Sequence, residues 1–226
     1  MLPYNLSYHI TPIFAIIGYL VYPKDLRISP SLLYILSVIH NGALVLFSAW
    51  TFVSLSQILY NNGIVFQSNY YFQNSHFDKI VYFFYISKYY EFFDTFLLYL
   101  NGKTPIFLQK YHHIGAVICW HLCYVYKVDC IWLPSIVNSF VHTIMYLYYL
   151  GCLFKINKVR FIKKYITSLQ LIQLTITPFI SLYYYTPPVE TTFNYNIIKF
   201  FISYVFGLVL LFSQFYYTNY MKIKKE

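Results

Sequence analysis

Two adjacent histidines, His112 and His113, stand a few residues inside an apolar run from Ile106 to Tyr126. Ionisable groups at membrane depth are costly, so such residues count first as functional ones. An imidazole there can serve as nucleophile, as general acid or base, or as donor to an oxyanion. It can also do no more than hydrogen-bond a neighbouring helix. Which reading holds depends on what other segments bring to the same depth.

Three other segments carry polar stripes. At about 100° per residue, Lys88, Glu91, Asp94 and Thr95 fall within an arc of about 120°. Lys88 and Glu91, three residues apart, can neutralise one another as a structural ion pair. Buried pairs rarely gain net stability over apolar packing, however, so three charges on one stripe favour a water-accessible cavity. In the 106–126 run Gln109, His112, His113 and Ala116 share a face, with His112 about 10 Å along the helix from its start. Cys119 and Cys123 continue that side deeper in, while His121 points away. Asn138, His142, Met145, Tyr146 and Tyr149 form a further stripe at i, i+4, i+7, i+8 and i+11. Met and Tyr alone would be ordinary packing; with Asn and His among them the stripe reads as a polar cavity wall. Thr167, Gln170 and Gln173 open the next run, where amides also serve as glue between helices.

The elements that must position these stripes follow from composition. The 226-residue chain is 59% hydrophobic and 10% charged, with a mean hydropathy of +0.52, more apolar surface than a soluble domain of this size can hide. The fold class is therefore an all-α polytopic membrane protein. With 28 Tyr and 22 Phe, aromatic residues must line an interior as well as interfacial belts. Taking about 20 mostly apolar residues per crossing, seven transmembrane helices are predicted, roughly at 6–22, 31–59, 77–100, 106–126, 130–153, 162–184 and 195–219. Pro3 and Pro12 interrupt the first. Short connections leave no room for a separate soluble unit, so 1–226 reads as a single transmembrane domain. Cys119, Cys123, Cys130 and Cys152 show neither metal-ligand spacing nor a secreted disulfide framework. The first apolar run lacks a basic leader and reads as an uncleaved helix.

A formal charge of +9 invites nucleic acid or anionic lipid as partners. The basic residues lie mostly in alternate loops, so the positive-inside rule accounts for them better, and no nucleic-acid partner is expected. Lys24, Arg27, Lys103, Lys155, Lys158, Arg160, Lys163, Lys164 and the tail lysines fall on one side. The segments 61–76 and 185–196 carry no Lys or Arg, and the remaining loop has only Lys127. The N-terminus is then lumenal and the C-terminus cytosolic, and all four polar stripes lie in the cytosolic half or at the midplane, walling one chamber. Lys222 and Lys224, five and three residues from the end, resemble a dilysine signal for the endoplasmic reticulum, although a plain basic flank reads the same.

Taken together these residues resemble the ELO family of very-long-chain fatty acid elongases. The motifs stand here as Lys88-x-x-Glu91-Phe92-x-Asp94-Thr95, His112-His113, His142-x-x-Met145-Tyr146-x-Tyr148-Tyr149 and Thr167-x-x-Gln170-x-x-Gln173, in order on four consecutive predicted helices. Asn41 and the surrounding apolar spans extend the likeness. The family's histidine box is usually His-x-x-His-His, and Gln109 holds its first place here; a glutamine keeps a hydrogen bond but cannot exchange a proton near neutral pH. The resemblance implies a 3-oxoacyl-CoA synthase of the endoplasmic reticulum membrane that condenses acyl-CoA with malonyl-CoA and releases carbon dioxide and CoA. It implies seven transmembrane helices, six of them surrounding an acyl tunnel. It also implies no metal and no resident cofactor, with the ketoacyl reductase, dehydratase and enoyl reductase of the elongation cycle as partners beside membrane lipid. A homo-oligomer is left open.

On that reading His112 carries the acyl group as an acyl-imidazole, and His142 serves the enolate and thioester oxygen. His113 and Gln109 tune His112. Lys88, Glu91, Asp94 and Thr95 fix the histidines or meet the pantetheine arm. Asn138, Met145, Tyr146, Tyr149, Thr167, Gln170 and Gln173 support or bind substrate, and Lys103, Lys110 and the basic loop of Lys155, Lys158, Arg160, Lys163 and Lys164 suit the CoA phosphates. Three rivals stand beside it. Cys119 is an alternative nucleophile, but a buried thiol more often packs as a small hydrophobe. A di-iron desaturase needs about eight His ligands, and the chain has 7 His, of which His9, His76 and His121 lie off the chamber. The third is a transporter or receptor with a buried polar cavity; transporters usually show internal repeats or broken helices, and the sequence shows neither clearly.

Overall fold

A computed structural model describes residues 7–65, 70–183 and 192–222. Pro3, residues 66–69 and 185–191 of the two lysine-free segments, Lys224 and Lys225 lie outside the described residues, as do the side chains of Lys158 and Arg160. Every regular element described is helical: α1 Ser7–Val21, α2 Pro30–Asn62, α3 Ser75–Tyr90, α4 Phe92–Leu100, α5 Phe107–Val125, α6 Trp132–Leu153, α7 Lys163–Tyr183 and α8 Thr192–Tyr216. Among the described residues three helical stretches, Pro30–Asn62, Asp129–Leu153 and Asn194–Met221, are long and apolar enough to cross a membrane.

Local chemistry sets several boundaries. Ser29 caps α2 by accepting from Leu32 N at 3.3 Å, and Pro30 takes the first turn, where its missing N–H costs nothing. Asn74 caps α3 by accepting from His76 N and Phe77 N at 2.9 and 3.3 Å. The span predicted as one helix over 77–100 is two, broken at Glu91. No Gly or Pro stands there. Instead the Ser87 hydroxyl donates to Phe84 O at 2.7 Å, a back-bond that bends helices. Glu91 N then donates to both Ser87 O and Tyr89 O, and Asp94 N returns to Glu91 O at 3.1 Å in a tightened turn. The break turns the Glu91 carboxylate inward at the start of α4.

The helices close tightly at one end and leave space at the other. Where α2 ends and α3, α6 and α8 begin, Leu55, Phe77, Ile80, Val81, Cys123, Ile131, Trp132 and Ile197 pack into one buried cluster. Buried Asp129 seals that end by accepting from the backbone N–H groups of Tyr70, Tyr71 and Phe72 at 2.5, 3.1 and 3.4 Å. Lys127 pairs with Asp78 nearby and lies 3.9 Å from the Tyr124 ring centroid.

A reciprocal clasp joins α5 to α8. Tyr204 lies over Gly115 and donates to His112 O at 2.9 Å, while Tyr111 lies over Gly207 and donates to Tyr204 O at 3.3 Å. The two rings stack with centroids 5.5 Å apart. A Cβ at Gly115 would stand 2.0 Å from a Tyr204 ring carbon, and one at Gly207 would stand 2.4 Å from the Tyr111 hydroxyl. Both rings are pinned, so neither can give way. Gly115→Ala is therefore expected to destabilise the protein by about 1–3 kcal/mol as an overpacked core does. Thermal unfolding in detergent checks this; an unchanged melting temperature would show that the clasp yields freely.

Candidate active site

The space at the open end is a cavity of about 580 Å³, walled by the first turns of α2, α5 and α7, by α4, and by the last turns of α6 and α8. Of the residues singled out from sequence, Glu91, Asp94, Gln109, His112, His113, His142, Met145, Tyr146, Tyr149, Thr167 and Gln170 all line it. Asn138 and Gln173 line a second, smaller cavity of about 40 Å³ instead, together with Trp120, Phe201, Tyr204 and His112. His112 therefore borders both spaces. Its ring centroid lies 6.4 Å from that of His142 and 5.5 Å from that of His113. Nδ1 of His112 and Nδ1 of His113 are buried without a hydrogen-bond partner among the described residues.

Behind the histidines is a buried charged group. Lys88 Nζ donates to Glu91 Oε1 at 2.7 Å and to Asn138 Oδ1 at 3.0 Å, and it lies 4.0 Å from the Phe84 ring centroid. His142 Nδ1 stands 3.5 Å from the same Glu91 oxygen. Lys88, with 2% of its surface exposed, does not reach the cavity, which corrects the expectation that the whole stripe faces water. The i, i+3 spacing lets the ammonium reach the carboxylate, and the break at Glu91 then directs only the acid forward. The outcome combines both readings of the stripe: an ion pair carries one face, and a chamber lies in front of it.

Asp94 takes the other wall. It accepts from Tyr146 OH at 2.8 Å and from His40 Nε2 at 2.9 Å, joining α4 to α6 and α2. Thr95, 1% exposed, also stands behind the wall: it accepts from Gln109 Nε2 at 3.1 Å and shares a 2.9 Å hydrogen bond with Tyr19 OH on α1. Gln170 Nε2 contacts Met145 Sδ at 3.3 Å. Thr167 donates to Lys163 O at 3.1 Å and lies 3.4 Å from Tyr220 OH. Lys103 and Lys163 stand at the cavity's edge; Lys110 is not among its lining residues.

The rival nucleophile is placed elsewhere. Cys119 is 1% exposed and lines neither cavity. His121 and His9 bond to one another at 3.0 Å, and His121 reaches Tyr85 OH at 2.9 Å, on the far side of α5. His76 is exposed near the start of α3.

Residues 5–226 match the family model described as ELO, the GNS1/SUR4 family. The chain belongs to the ELO family. It is similar to fatty acid elongase sre1 of Dictyostelium discoideum, 35% identical over 149 residues that make up 62% of this chain and 53% of that protein. It is 35% identical over 155 residues to very long chain fatty acid elongase 2 of Mus musculus, covering 66% of this chain and 52% of the relative. With very long chain fatty acid elongase 5 of Tachysurus fulvidraco it shares 32% over 198 residues, 82% of this chain and 65% of the relative. The ELO chain thus spans about half to two thirds of the length of these curated relatives.

Two residues that hold this ELO site together escape a reading of the sequence. His40 sits alone in an apolar run, and its partner Asp94 lies 54 positions away. Tyr204 is one of 28 tyrosines, and the signal that marks it is the small residue at Gly115 on another helix. Gln109 was legible by position, but its link through Thr95 to Tyr19 was not. Gln109→Ala is expected to cost about 1 kcal/mol for that hydrogen bond and to loosen α1 first. Hydrogen exchange over 9–21, compared with wild type, measures this; unchanged protection there would show that α1 is held by packing alone.

Proposed function

We propose that this chain is the condensing enzyme of fatty acid elongation. It joins an acyl-CoA to malonyl-CoA, giving a 3-oxoacyl-CoA two carbons longer, carbon dioxide and CoA. The observation that carries the reading is the position of His112, at the junction of two cavities and beside His142.

Because Nδ1 is buried, Nε2 is the nitrogen available for attack on the thioester. A C–N bond forms to the acyl carbon, the C–S bond breaks, and CoA leaves through the larger cavity toward Lys103 and Lys163. Malonyl-CoA then takes the vacated space. Loss of carbon dioxide leaves an enolate, which attacks the acyl carbon and returns the electron pair to His112. His142, backed by the Glu91 carboxylate at 3.5 Å, is placed to donate to the thioester oxygen as that charge develops. His113 packs against His112 and holds its ring, and Asp94 with Tyr146 shapes the opposite wall. Each methylene of the acyl tail that the protein buries contributes about 0.8 kcal/mol. The low exposure of Cys119 favours imidazole over thiol chemistry.

The reading carries the rest of the architecture with it. Seven membrane spans, α3 and α4 together forming the third, place the N-terminus in the lumen of the endoplasmic reticulum and the C-terminus in the cytosol. Six spans ring the acyl tunnel within one domain over 1–226. No resident cofactor is needed, and the 3-oxo product passes to a reductase, a dehydratase and an enoyl reductase. Incubating the purified chain with labelled malonyl-CoA and acyl-CoAs of graded length tests the proposal. A labelled 3-oxoacyl-CoA is the expected product. No product at any length, together with solute uptake in liposomes, would favour a transporter.

A further inference from the structure

The smaller cavity is lined by polar side chains whose donors can be followed one by one. Three are already committed: Trp120 Nε1 donates to Ser135 Oγ at 3.3 Å, Thr177 to Gln173 O at 2.7 Å, and Tyr204 to His112 O at 2.9 Å. Two are not. Lys88 Nζ meets the Asn138 amide at 3.0 Å, and since an ammonium only donates, the bonded end is Oδ1 and Nδ2 is left over. The Gln173 side chain makes no hydrogen bond among the described residues at either end of its amide. Asn138 and Gln173 are 7% and 9% exposed, yet both line the cavity, and neither is among the side chains whose unpartnered polar atoms lack accessible surface. Buried polar groups are hydrogen-bonded as a rule, so two open amides on one small space beside His112 mark where a ligand completes them.

The chemistry of the donors selects the ligand. Asn138 offers only N–H, and Gln173 can present its own NH₂ to the same space, so the group that satisfies both is an acceptor oxygen. At about 40 Å³ the cavity has room for about three water-sized groups, enough for a carbonyl and its neighbouring atoms but not for a CoA headgroup. The acceptor that the reaction brings to His112 is the acyl oxygen. As Nε2 of His112 bonds to the acyl carbon, the carbonyl electron pair moves onto that oxygen, and it returns when the C–S bond breaks with its pair on sulfur. Attack by the enolate repeats the cycle, the C–N pair going back to His112. The geometry points to Asn138 Nδ2 and the Gln173 amide as the oxyanion hole for the acyl oxygen in both additions, with His142 left to serve the malonyl thioester. This inference rests on the elongase reading and assigns two catalytic donors within it. Donors fixed before the charge develops act where water is excluded, and Lys88 holds the Asn138 amide in that orientation.

Gln173→Leu in the full chain is the discriminating variant, because it removes the donor and breaks no side-chain hydrogen bond among the described residues. Its melting temperature should equal or exceed that of wild type. Single-turnover acylation of His112 by acyl-CoA is expected to slow by about 10²-fold, the loss typical of one oxyanion donor. Affinity for the unreactive ketone S-(2-oxoalkyl)-CoA should change by about threefold or less, since the contact strengthens only as charge develops. The infrared band of that ketone, labelled with carbon-13 at the carbonyl, supplies a signature that a packing role would not move. Bound to wild type it should lie below its frequency in alkane, and in Gln173→Leu it should return part of the way. A wild-type band at the alkane frequency overturns the oxyanion hole whether or not the variant folds. Acylation at the wild-type rate in Gln173→Leu, or equal bands in the two proteins, overturns it as well. If the wild type condenses nothing, the elongase reading fails. A band lowered in wild type and raised in Gln173→Leu then still supports the donor pair as a carbonyl site, and a wild type that binds no ketone refutes it.

Discussion

His112→Ala is expected to eliminate the acyl-enzyme and to lower 3-oxoacyl-CoA formation by at least about 10³-fold, as removal of a covalent nucleophile does. The variant should still fold. The hydrogen bond tying His112 to α8 uses its backbone oxygen, which accepts from Tyr204, so the clasp survives loss of the imidazole. The side chain gives its Nδ1 no partner, and no other hydrogen bond depends on it among the described residues. Product formation from labelled malonyl-CoA, read beside a melting curve, checks both halves. Cys119→Ala in the same assay should retain elongation, since that thiol lines neither cavity. Normal turnover in the His112 variant would remove the acyl-imidazole from the mechanism.

Lys88→Met is expected to cost about 3–5 kcal/mol of stability, the penalty for leaving one member of a buried ion pair uncompensated. Glu91 is 3% exposed, and without Lys88 its nearest polar neighbour is His142 Nδ1 at 3.5 Å. Asn138 Oδ1 loses its donor in the same step. Adding Glu91→Gln to Lys88→Met removes the orphaned charge and should restore much of the stability while activity stays low, because no carboxylate then stands behind His142. Unfolding midpoints and turnover of the single and double variants separate the two effects. A single variant as stable as wild type would mean that Glu91 is protonated or solvated, and the electrostatic support of His142 would fall with it.

The sequence discloses the stripes better than the contacts between them. His112, His142, Tyr146 and Gln170 are legible because helical periodicity fixes which residues share a face, and all four line one cavity. Lys88 and Thr95 sit on the expected stripe yet turn behind the wall, since periodicity assigns a face and not the direction a long side chain takes to its partner. The break at Glu91 carries no Gly or Pro; it comes from the Ser87 back-bond and the tightened turn that follows, which any polar helix residue can hide. His40 meets Asp94, and Tyr204 meets Gly115, only after α2, α4, α5 and α8 have packed. Such pairs depend on tertiary structure, which the spacing within one helix does not encode. Asn41 stands between the two cases: its position was visible, but its unpaired oxygen became apparent only once Ser37 O had claimed its amide.

Covalent mapping of the acyl group addresses the central claim most directly. The purified chain is incubated with a single acyl-CoA in the absence of malonyl-CoA, quenched, digested and examined by mass spectrometry. The predicted result is one acyl group on the peptide containing His112, absent in His112→Ala and discharged to 3-oxoacyl-CoA when malonyl-CoA is added before the quench. An acyl group on Cys119 or His142, or full turnover with no acylated peptide at any time, would contradict the account.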